Sequence, residues 1–518
     1  FDIPYIMNRM RFIFDNDTIN KMSPWNYVNA DRIQLGKKNQ QYWNILGVSV
    51  LDYFDLYKKF TYVRQESYRL NYIAKVELGE SKLDNPYETF KDFYTKDYQQ
   101  FVEYNIQDVE LVDKLEDKMK LIELCLTMAY EAKVNYTDVY SQVRCWDTII
   151  YNHLLKKNII IPPREDHDKD TQYEGAYVKD PQLGLHNWIV SFDLNSLYPH
   201  LIMQYNLSPE TLVGVQPKNM GVENYLNEKF NLQWARDKNV TVAPNGSMYR
   251  RDKQGFLPEL MEKMYGDRVV FKKKTIEAKK EFQKTKDPIY KNEISRCNNI
   301  QMAKKIALNS AYGAIGNQYF RYFDVRIAEA ITLGGQLSIR WVERDVNKFM
   351  NKLLNTDNVN YVVASDTDSI YLKLDKLVEK VCKDKSPQQI TDFINKAAED
   401  KIQKVIDDSF NNLAKYVNAY QQKMIMKREA IANKAIWVAK KRYMMNVFDE
   451  EGIRFDIPKL KIMGVEAVKS STPEVCRGKI KDAIRVIMND SEDALIKFVA
   501  DFKEVFKTLS PEEVAFPR

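Results

Sequence analysis

The sequence predicts a multidomain chain of mixed α/β and α+β class, and three observations carry that prediction. Its 518 residues exceed what one hydrophobic core organises and suffice for three or four domains. Two apolar, β-branched runs end in acids, Trp188-Ile189-Val190 before Asp193 and Val362-Val363-Ala364 before Asp366 and Asp368, which reads as sheet strands carrying carboxylates at their ends. Residues 258–316 form a charged, helix-prone tract with one sharp break at Asp287-Pro288, the pattern of a helical hairpin.

Taken in order, residues 1–120 alternate short apolar runs with helical stretches and predict an α/β domain. FDIPYI at the start and Ile45 to Leu51 read as strands, the latter followed by a Tyr-rich helix. The chain opens on Phe1 without an initiator Met, so it is expected to be an internal piece of a longer polypeptide. Residues 161–172, polar with two prolines, read as a linker. Residues 182–254 are expected to build sheet with a turn at Asn245-Gly246. In the hairpin, Pro258 suits a helix start, and the second helix is expected from Ile289 to Tyr312. Counting outward from the bend, Arg268 and Lys272 stand as far up one arm as Lys305 stands up the other, so three cations converge where an anion such as a triphosphate would relieve them. After the Asp366 hairpin comes a polar helical excursion at 376–420, then two amphipathic helices beyond Pro473 broken at Asn489-Asp490. A second FDIP, at 455–458, reads as a strand end.

The acids define the chemistry. Two carboxylates held about 4 Å apart repel by roughly 4 kcal/mol at an effective dielectric of 20, and a divalent cation removes that repulsion. Oxygen ligands favour Mg2+, with Mn2+ as a substitute, over zinc. The five cysteines and four histidines are scattered without metal-ligand spacing, which fits a reducing compartment. The excess of 78 basic over 72 acidic residues hints only mildly at a polyanionic partner. No apolar run reaches membrane-spanning length, so no membrane is expected among the partners.

The segments SFDLNSLYPH (191–200), KKIALNSAYGAIGN (304–317) and YVVASDTDSIYLKL (361–374) resemble the three polymerase motifs of family B DNA polymerases, in the family's order. FDIPYIMNRM, LDYFDLYKKF, WDTIIYN, KKRYMMNV and KIMGVEAVKSSTP point to its tailed-phage, T-even-like branch. YEGAYVKDP (173–181) resembles the Tyr-x-Gly-Gly loop joining the family's exonuclease and polymerase halves, with Ala176 in place of the second glycine.

The resemblance implies a partial RNase H-like 3′-5′ exonuclease domain at 1–120, a connecting segment at 121–172, palm at 173–254 and 317–460, helical-hairpin fingers at 255–316 and the start of a thumb at 461–518. It implies DNA-directed DNA polymerisation with two Mg2+ ions, Asp193 and Asp368 bridging them, Asp366 beside them and Glu429 as a supporting acid. Ser196, Leu197, Tyr198, Arg268, Lys272, Lys305 and Asn309 would surround the incoming nucleotide, Tyr198 as the steric gate against a 2′ hydroxyl. His200 stands where a small serine is usual. Tyr312 and Gly313 would line the nascent base pair, and Lys440, Lys441, Arg442 and Tyr443 would grip primer–template DNA. Asp2, Tyr104 and Asp108 resemble the second and third exonuclease motifs, with Asp2 and Asp108 as metal ligands; the first motif would precede residue 1, so the exonuclease is expected to be incomplete. Primer–template DNA and dNTPs are the implied partners, a sliding clamp belongs to the parent protein, and the host setting is phage-encoded action in the bacterial cytoplasm.

Two rivals share features of this reading. An RNA polymerase or reverse transcriptase also has palm acids, but Tyr198, SLYP and NSAYG oppose it. An inactive nucleic-acid scaffold is opposed by the intact set of acids.

Overall fold

The computed structural model describes residues 2–35, 38–61, 64–165, 172–216 and 220–515; residues 166–171 of the expected linker lie outside that set. The chain forms two compact units, one made of Phe1–Val63 with Tyr68–Cys145, the other of Arg64–Ser67 with Trp146–Arg518.

In the first unit, Asp2–Ile13 is a helix rather than the strand expected of FDIPYI. Ile3, Met7 and Met10 recur at helical spacing and pack on Ile19, Trp43 and Ile45. Pro4 lies in the first turn, where no internal hydrogen bond needs its missing N–H. Strands β1 (Val28–Leu35) and β2 (Lys38–Ile45) form an antiparallel hairpin. β2 ends at Ile45 and the strand expected over 45–51 does not form, because Gly47 turns the chain with φ +84°. The helix Tyr53–Phe60 follows, capped by the Asp52 side chain. The longest helix of this unit is Tyr98–Met119.

The second unit holds nine strands among the described residues: β3 (Gly184–Leu194), β4 (Leu212–Val215), β5 (Val240–Val242), β6 (Ser247–Arg250), β7 (Val362–Asp366), β8 (Ser369–Lys373), β9 (Met426–Ala439), β10 (Arg442–Glu450) and β11 (Ile453–Met463). Six of them make one antiparallel sheet in the order β11-β10-β9-β3-β8-β7. β3 is interior to it, which explains why Ile189 to Phe192 is an unbroken buried run instead of an alternating one. β4, β5 and β6 form a separate three-stranded sheet, so residues 182–254 do not extend a single sheet as expected. The turn at Asn245-Gly246 is present, with Gly246 at φ +86° between β5 and β6. The second FDIP lies inside β11 and does not end a strand.

One face of the large sheet is a core of Ile189, Val363, Ala432, Trp437, Tyr443 and Met445. Each large apolar side chain buried there contributes roughly 1.5–3 kcal/mol. The helix Val325–Leu354 packs on the helix Leu197–Tyr205; a Cβ on Gly334 or Gly335 would stand 3.4 Å from Leu201 or Leu197 respectively, so small residues permit the close crossing.

The helical hairpin is Phe256–Thr285 and Ile289–Ile315, hinged at Lys286, which caps the first helix at φ +58°. Gly266 does not interrupt the first helix. Helices Asp375–Val381, Pro387–Ala397 and Gln403–Tyr416 make the polar excursion. Beyond Pro473 come Glu474–Asn489 and Glu492–Phe506, the latter capped by the Ser491 side chain.

Candidate active site

The two acidic motifs meet because their strands are neighbours. β3 and β8 run antiparallel with Asp193 opposite Ser369, and the Leu194 N–H donates to the Asp368 carbonyl at 2.8 Å. On its other side Asp193 stands opposite Lys427 of β9. The acids sit at the bend between β7 and β8, where Thr367 takes φ +58° and the Asp368 N–H donates to the Asp366 carbonyl at 2.6 Å. Burial, then the neighbouring charges of Asp368 and Glu429, pushes the Asp193 carboxyl up to about 7. Burial also pushes Asp368 up, to about 6, with Asp366 and Glu429 adding to it.

Glu429, on β9, accepts from Ser191 Oγ at 3.1 Å and pairs with Lys461 Nζ at 2.7 Å. Asp366 accepts from Thr367 Oγ1 at 3.0 Å and lies 3.5 Å from Lys441 Nζ. Among the described residues no three histidine, cysteine or acidic side chains are arranged to hold a metal ion by themselves. Asp193 and Asp368 nonetheless fit a hard divalent cation, since both offer carboxylate oxygens and burial with like charge opposes their ionisation.

A segment that sequence reading treated only as a joining loop braces this bend. Thr367 N–H donates to Tyr177 O at 2.9 Å, Lys179 N–H to Ser365 O at 3.0 Å and Gln182 N–H to Val363 O at 2.8 Å, so residues 177–182 run beside β7. Lys179 Nζ also reaches the Val362 carbonyl at 2.6 Å and pairs with Glu343 at 2.5 Å. The prolines and glycines around this stretch hid its extended pairing.

The turn after β3 carries Ser196 at φ +46° and then the helix Leu197–Tyr205. Leu197 is buried, whereas Tyr198 lies across the Tyr312 ring with centroids 4.6 Å apart. Burial, with the Asp368 charge nearby, raises the Tyr198 hydroxyl pKa. Tyr312 OH in turn donates to Tyr173 OH at 3.3 Å, and Tyr173 crowds Gly316, where a Cβ would come within 2.7 Å of its hydroxyl. Asn309 and Gly313 are exposed on the same helix, one turn apart.

His200 is buried, donates from Nδ1 to the Ser196 carbonyl at 2.9 Å and meets the Tyr265 ring edge-on at 4.5 Å. Arg268 Nη1 donates to Ser196 Oγ at 3.3 Å, while Arg268 Nε is buried without a hydrogen-bond partner. The hairpin arms are aligned by the ion pair Lys304–Asp267 at 3.2 Å, which sets Arg268 level with Lys305. Lys272, one turn beyond Arg268, is exposed, and Lys305 is half-buried.

The Lys440–Tyr443 cluster divides. Lys440 and Lys441 are exposed at the β9–β10 turn, Lys440 pairing with Asp180 at 2.9 Å. Arg442 is held by both Glu466 oxygens, at 2.6 and 2.5 Å. Tyr443 is not an outward-facing grip: it is buried, stacks on Trp437 at 5.5 Å and shares a 2.8 Å hydrogen bond with Tyr371. Residues 443–449 of β10 are buried on both faces, and alternation puts the Tyr443 ring on the face of Met445 and Val447.

In the first unit, Tyr104 and Asp108 share one face of the helix Tyr98–Met119, and Lys82 bridges them. Its Nζ is 2.6 Å from Asp108 and 4.6 Å from the Tyr104 ring centroid. Asp108 Oδ1 is buried and finds no hydrogen-bond partner. Asp2 is exposed in the first turn of its helix, and among the described residues no hydrogen bond or ion pair joins it to Asp108. Sequence reading missed Lys82, which lies 26 residues from Asp108.

Residues 134–515 match the model of DNA polymerase family B, and residues 1–73 match that of the family's exonuclease domain. Over 95% of its length the chain is 35% identical to the DNA-directed DNA polymerase of Escherichia phage RB69, covering 60% of that protein. Over 99% of its length it is 34% identical to that of Enterobacteria phage T4, covering 62%. A more distant relative is the DNA polymerase delta catalytic subunit of Candida albicans, 26% identical over 72% of this chain and 35% of that one. The chain thus spans about three fifths of the length of the phage relatives. With a family model covering well over half of it, the chain belongs to DNA polymerase family B.

Proposed function

We propose that the chain is the polymerase part, with a portion of the 3′-5′ exonuclease, of a replicative DNA-directed DNA polymerase that adds deoxynucleotides to a primer 3′ hydroxyl. The observation that carries this reading is the meeting of Asp193 and Asp368 at the edge of a surface formed by Tyr198, Tyr312 and Arg268. The phage relatives are themselves named DNA-directed DNA polymerases.

In this reading residues 173–254 and 317–460 are palm, 255–316 fingers and 461–518 the start of the thumb, while 1–120 belong to the exonuclease. Asp193 and Asp368 would hold two Mg2+ ions, with Asp366 and Glu429 adding to the local negative charge. When bound, the ions supply charge stabilisation at the attacking and leaving oxygens of the displacement. Arg268 and Lys305 cradle the triphosphate, and the unpartnered Nε of Arg268 is a donor an anion would satisfy. Lys272 joins them from the exposed side. Ser196 and Leu197 set the backbone under the triphosphate, and Asn309 lies along it. Tyr198, backed by Tyr312, fills the space a 2′ hydroxyl would need; Tyr312 and Gly313 line the new base pair. Lys440 and Lys441 meet the primer–template backbone, whereas Tyr443 acts by supporting their turn. The exonuclease residues are Tyr104 and Asp108, with Asp2 on the other motif.

Primer–template DNA and dNTPs are the partners, a sliding clamp is a further one, and the setting is a phage-infected bacterial cytoplasm. Among the described residues no helix is long and apolar enough to cross a membrane. Template-directed primer extension tests the reading: elongation with the complementary dNTP and none with the ribonucleotide supports it. Elongation indifferent to the template base, or equal use of both sugars, would overturn it.

A further inference from the structure

The outer half of the first hairpin helix carries a concentration of charge of which the nucleotide site uses only Lys272. Between Phe271 and Lys286 there are seven lysines and two glutamates, against 78 basic and 72 acidic residues in the whole chain, so this one helical stretch accounts for most of the net charge. At about 100° per residue, Lys272, Lys273, Lys279, Lys280 and Lys284 fall within an arc of about 140°. All five are exposed, and of these Lys284 pairs with Glu281 at 2.8 Å. Thr275 and Ala278 are buried on the opposite side, against the second arm. Glu277 and Glu281 lie past one edge of the arc. Within it stands a thin apolar spine, Val269 and Ile276, 36% and 45% exposed. From Lys273 to Lys284 the arc runs about 16 Å along the helix, continuous at its inner end with Arg268 and Lys272.

Five like charges so close, with only Lys284 among these described residues paired to a glutamate within the stretch, repel one another, and a polyanion lying along them would relieve that. Two helices of about 10 Å each make the hairpin roughly 20 Å wide, too wide for a major groove of about 12 Å. A rigid duplex touching this convex ridge would offer few phosphates at once, whereas a single strand bends around it. Phosphates on the lysines suit such a strand, since single-strand binding elsewhere rests on a positively charged track along the backbone, and the Val269–Ile276 spine adds apolar contact without a stacking ring. We propose that the lysine ridge of helix Phe256–Thr285 binds the single-stranded template ahead of the primer end. The proposal rests on the polymerase reading above, which supplies that strand.

The test uses the full chain and the triple variant Lys273→Gln, Lys279→Gln, Lys280→Gln. Binding to labelled primer–templates of identical duplex is measured by anisotropy across a salt series, with a template overhang of one nucleotide or of fifteen. The parent chain should bind the long overhang more tightly and with the steeper salt dependence. In the variant that difference should shrink, the slope of log K against log salt falling by about 2 at roughly 0.7 for each phosphate no longer neutralised. Binding to the one-nucleotide overhang, which also reports that the variant is folded, should be unchanged. An unchanged slope on the long overhang would show a merely solvated face, and an equal loss on both substrates would show a duplex contact; either overturns the proposal. If the parent binds neither substrate, the polymerase reading itself fails.

Discussion

Leu194 donates its backbone N–H to the carbonyl of Asp368 at 2.8 Å, and that single bond ties the end of β3 to the acidic bend of β7–β8. Asp193, one residue earlier, is thereby held where the Asp368 charge opposes its own. The pairing follows from register, so the acids meet before any ligand arrives.

This enforced proximity costs stability when both acids are charged. Both carboxyls titrate higher in the fold than in the unfolded chain, Asp193 at about 7 and Asp368 at about 6, so the folded state binds more protons between about pH 4 and 7. In EDTA, stability should fall as pH rises through that window. Asp193→Asn should remove much of the fall, gaining about 1 kcal/mol at pH 8 and little at pH 4, after allowance for solvent screening. Denaturant titrations at the two pH values check this, and a variant equally affected at both would contradict it.

Tyr198 rests on Tyr312, with ring centroids 4.6 Å apart, so its position does not depend on the sugar. Tyr198→Ala should raise ribonucleotide use relative to deoxyribonucleotide by at least about tenfold, roughly 1.4 kcal/mol of discrimination. Single-turnover incorporation of the two nucleotides measures the ratio.

His200 holds the Ser196 carbonyl, and Ser196 accepts from Arg268. Removing the ring with His200→Ala should let Ser196 leave its left-handed backbone conformation and raise the nucleotide KM several-fold, with primer–template affinity unchanged. Arg268→Ala should do the same more strongly, by about 2 kcal/mol for the missing charge-assisted hydrogen bond. An effect confined to DNA binding would instead place these residues on the duplex.

Two glycines should respond oppositely. A Cβ on Gly464, at φ +66°, would collide with the Lys441 carbonyl oxygen, so Gly464→Ala should destabilise by about 2 kcal/mol or more and disturb the Lys440–Lys441 turn. Gly478, inside the helix Glu474–Asn489, has nothing within 4 Å of a new Cβ. Gly478→Ala should stabilise by about 0.5–1 kcal/mol. Chemical denaturation of both variants gives the comparison.

Much of the second unit was legible because its signals are local. The runs before Asp193 and Asp366, the Asp287-Pro288 break and the Pro473 boundary each name an element without knowledge of its neighbours. Helical rise alone put Arg268 opposite Lys305, and the Lys304–Asp267 pair shows why that count works. What escaped depends on partners far away in sequence. FDIPYI has strand-like residues, yet Met7 finds Trp43 and Ile45 by coiling. Tyr443 follows three cations and reads as a DNA contact, but the inward face of β10 delivers it to Tyr371. The pairing of residues 177–182 beside β7 and the Lys82–Asp108 bridge leave no periodic trace at all.

Primer extension by Asp193→Asn and Asp368→Asn, set beside the parent chain and beside duplex binding by each variant, tests the central assignment most directly. Each substitution keeps the side-chain shape while deleting one carboxylate charge, so nucleotide addition should fall by at least a thousandfold, about 4 kcal/mol, with DNA affinity within about twofold of the parent. Near-normal extension by either variant, from a preparation whose parent is active, would contradict the account.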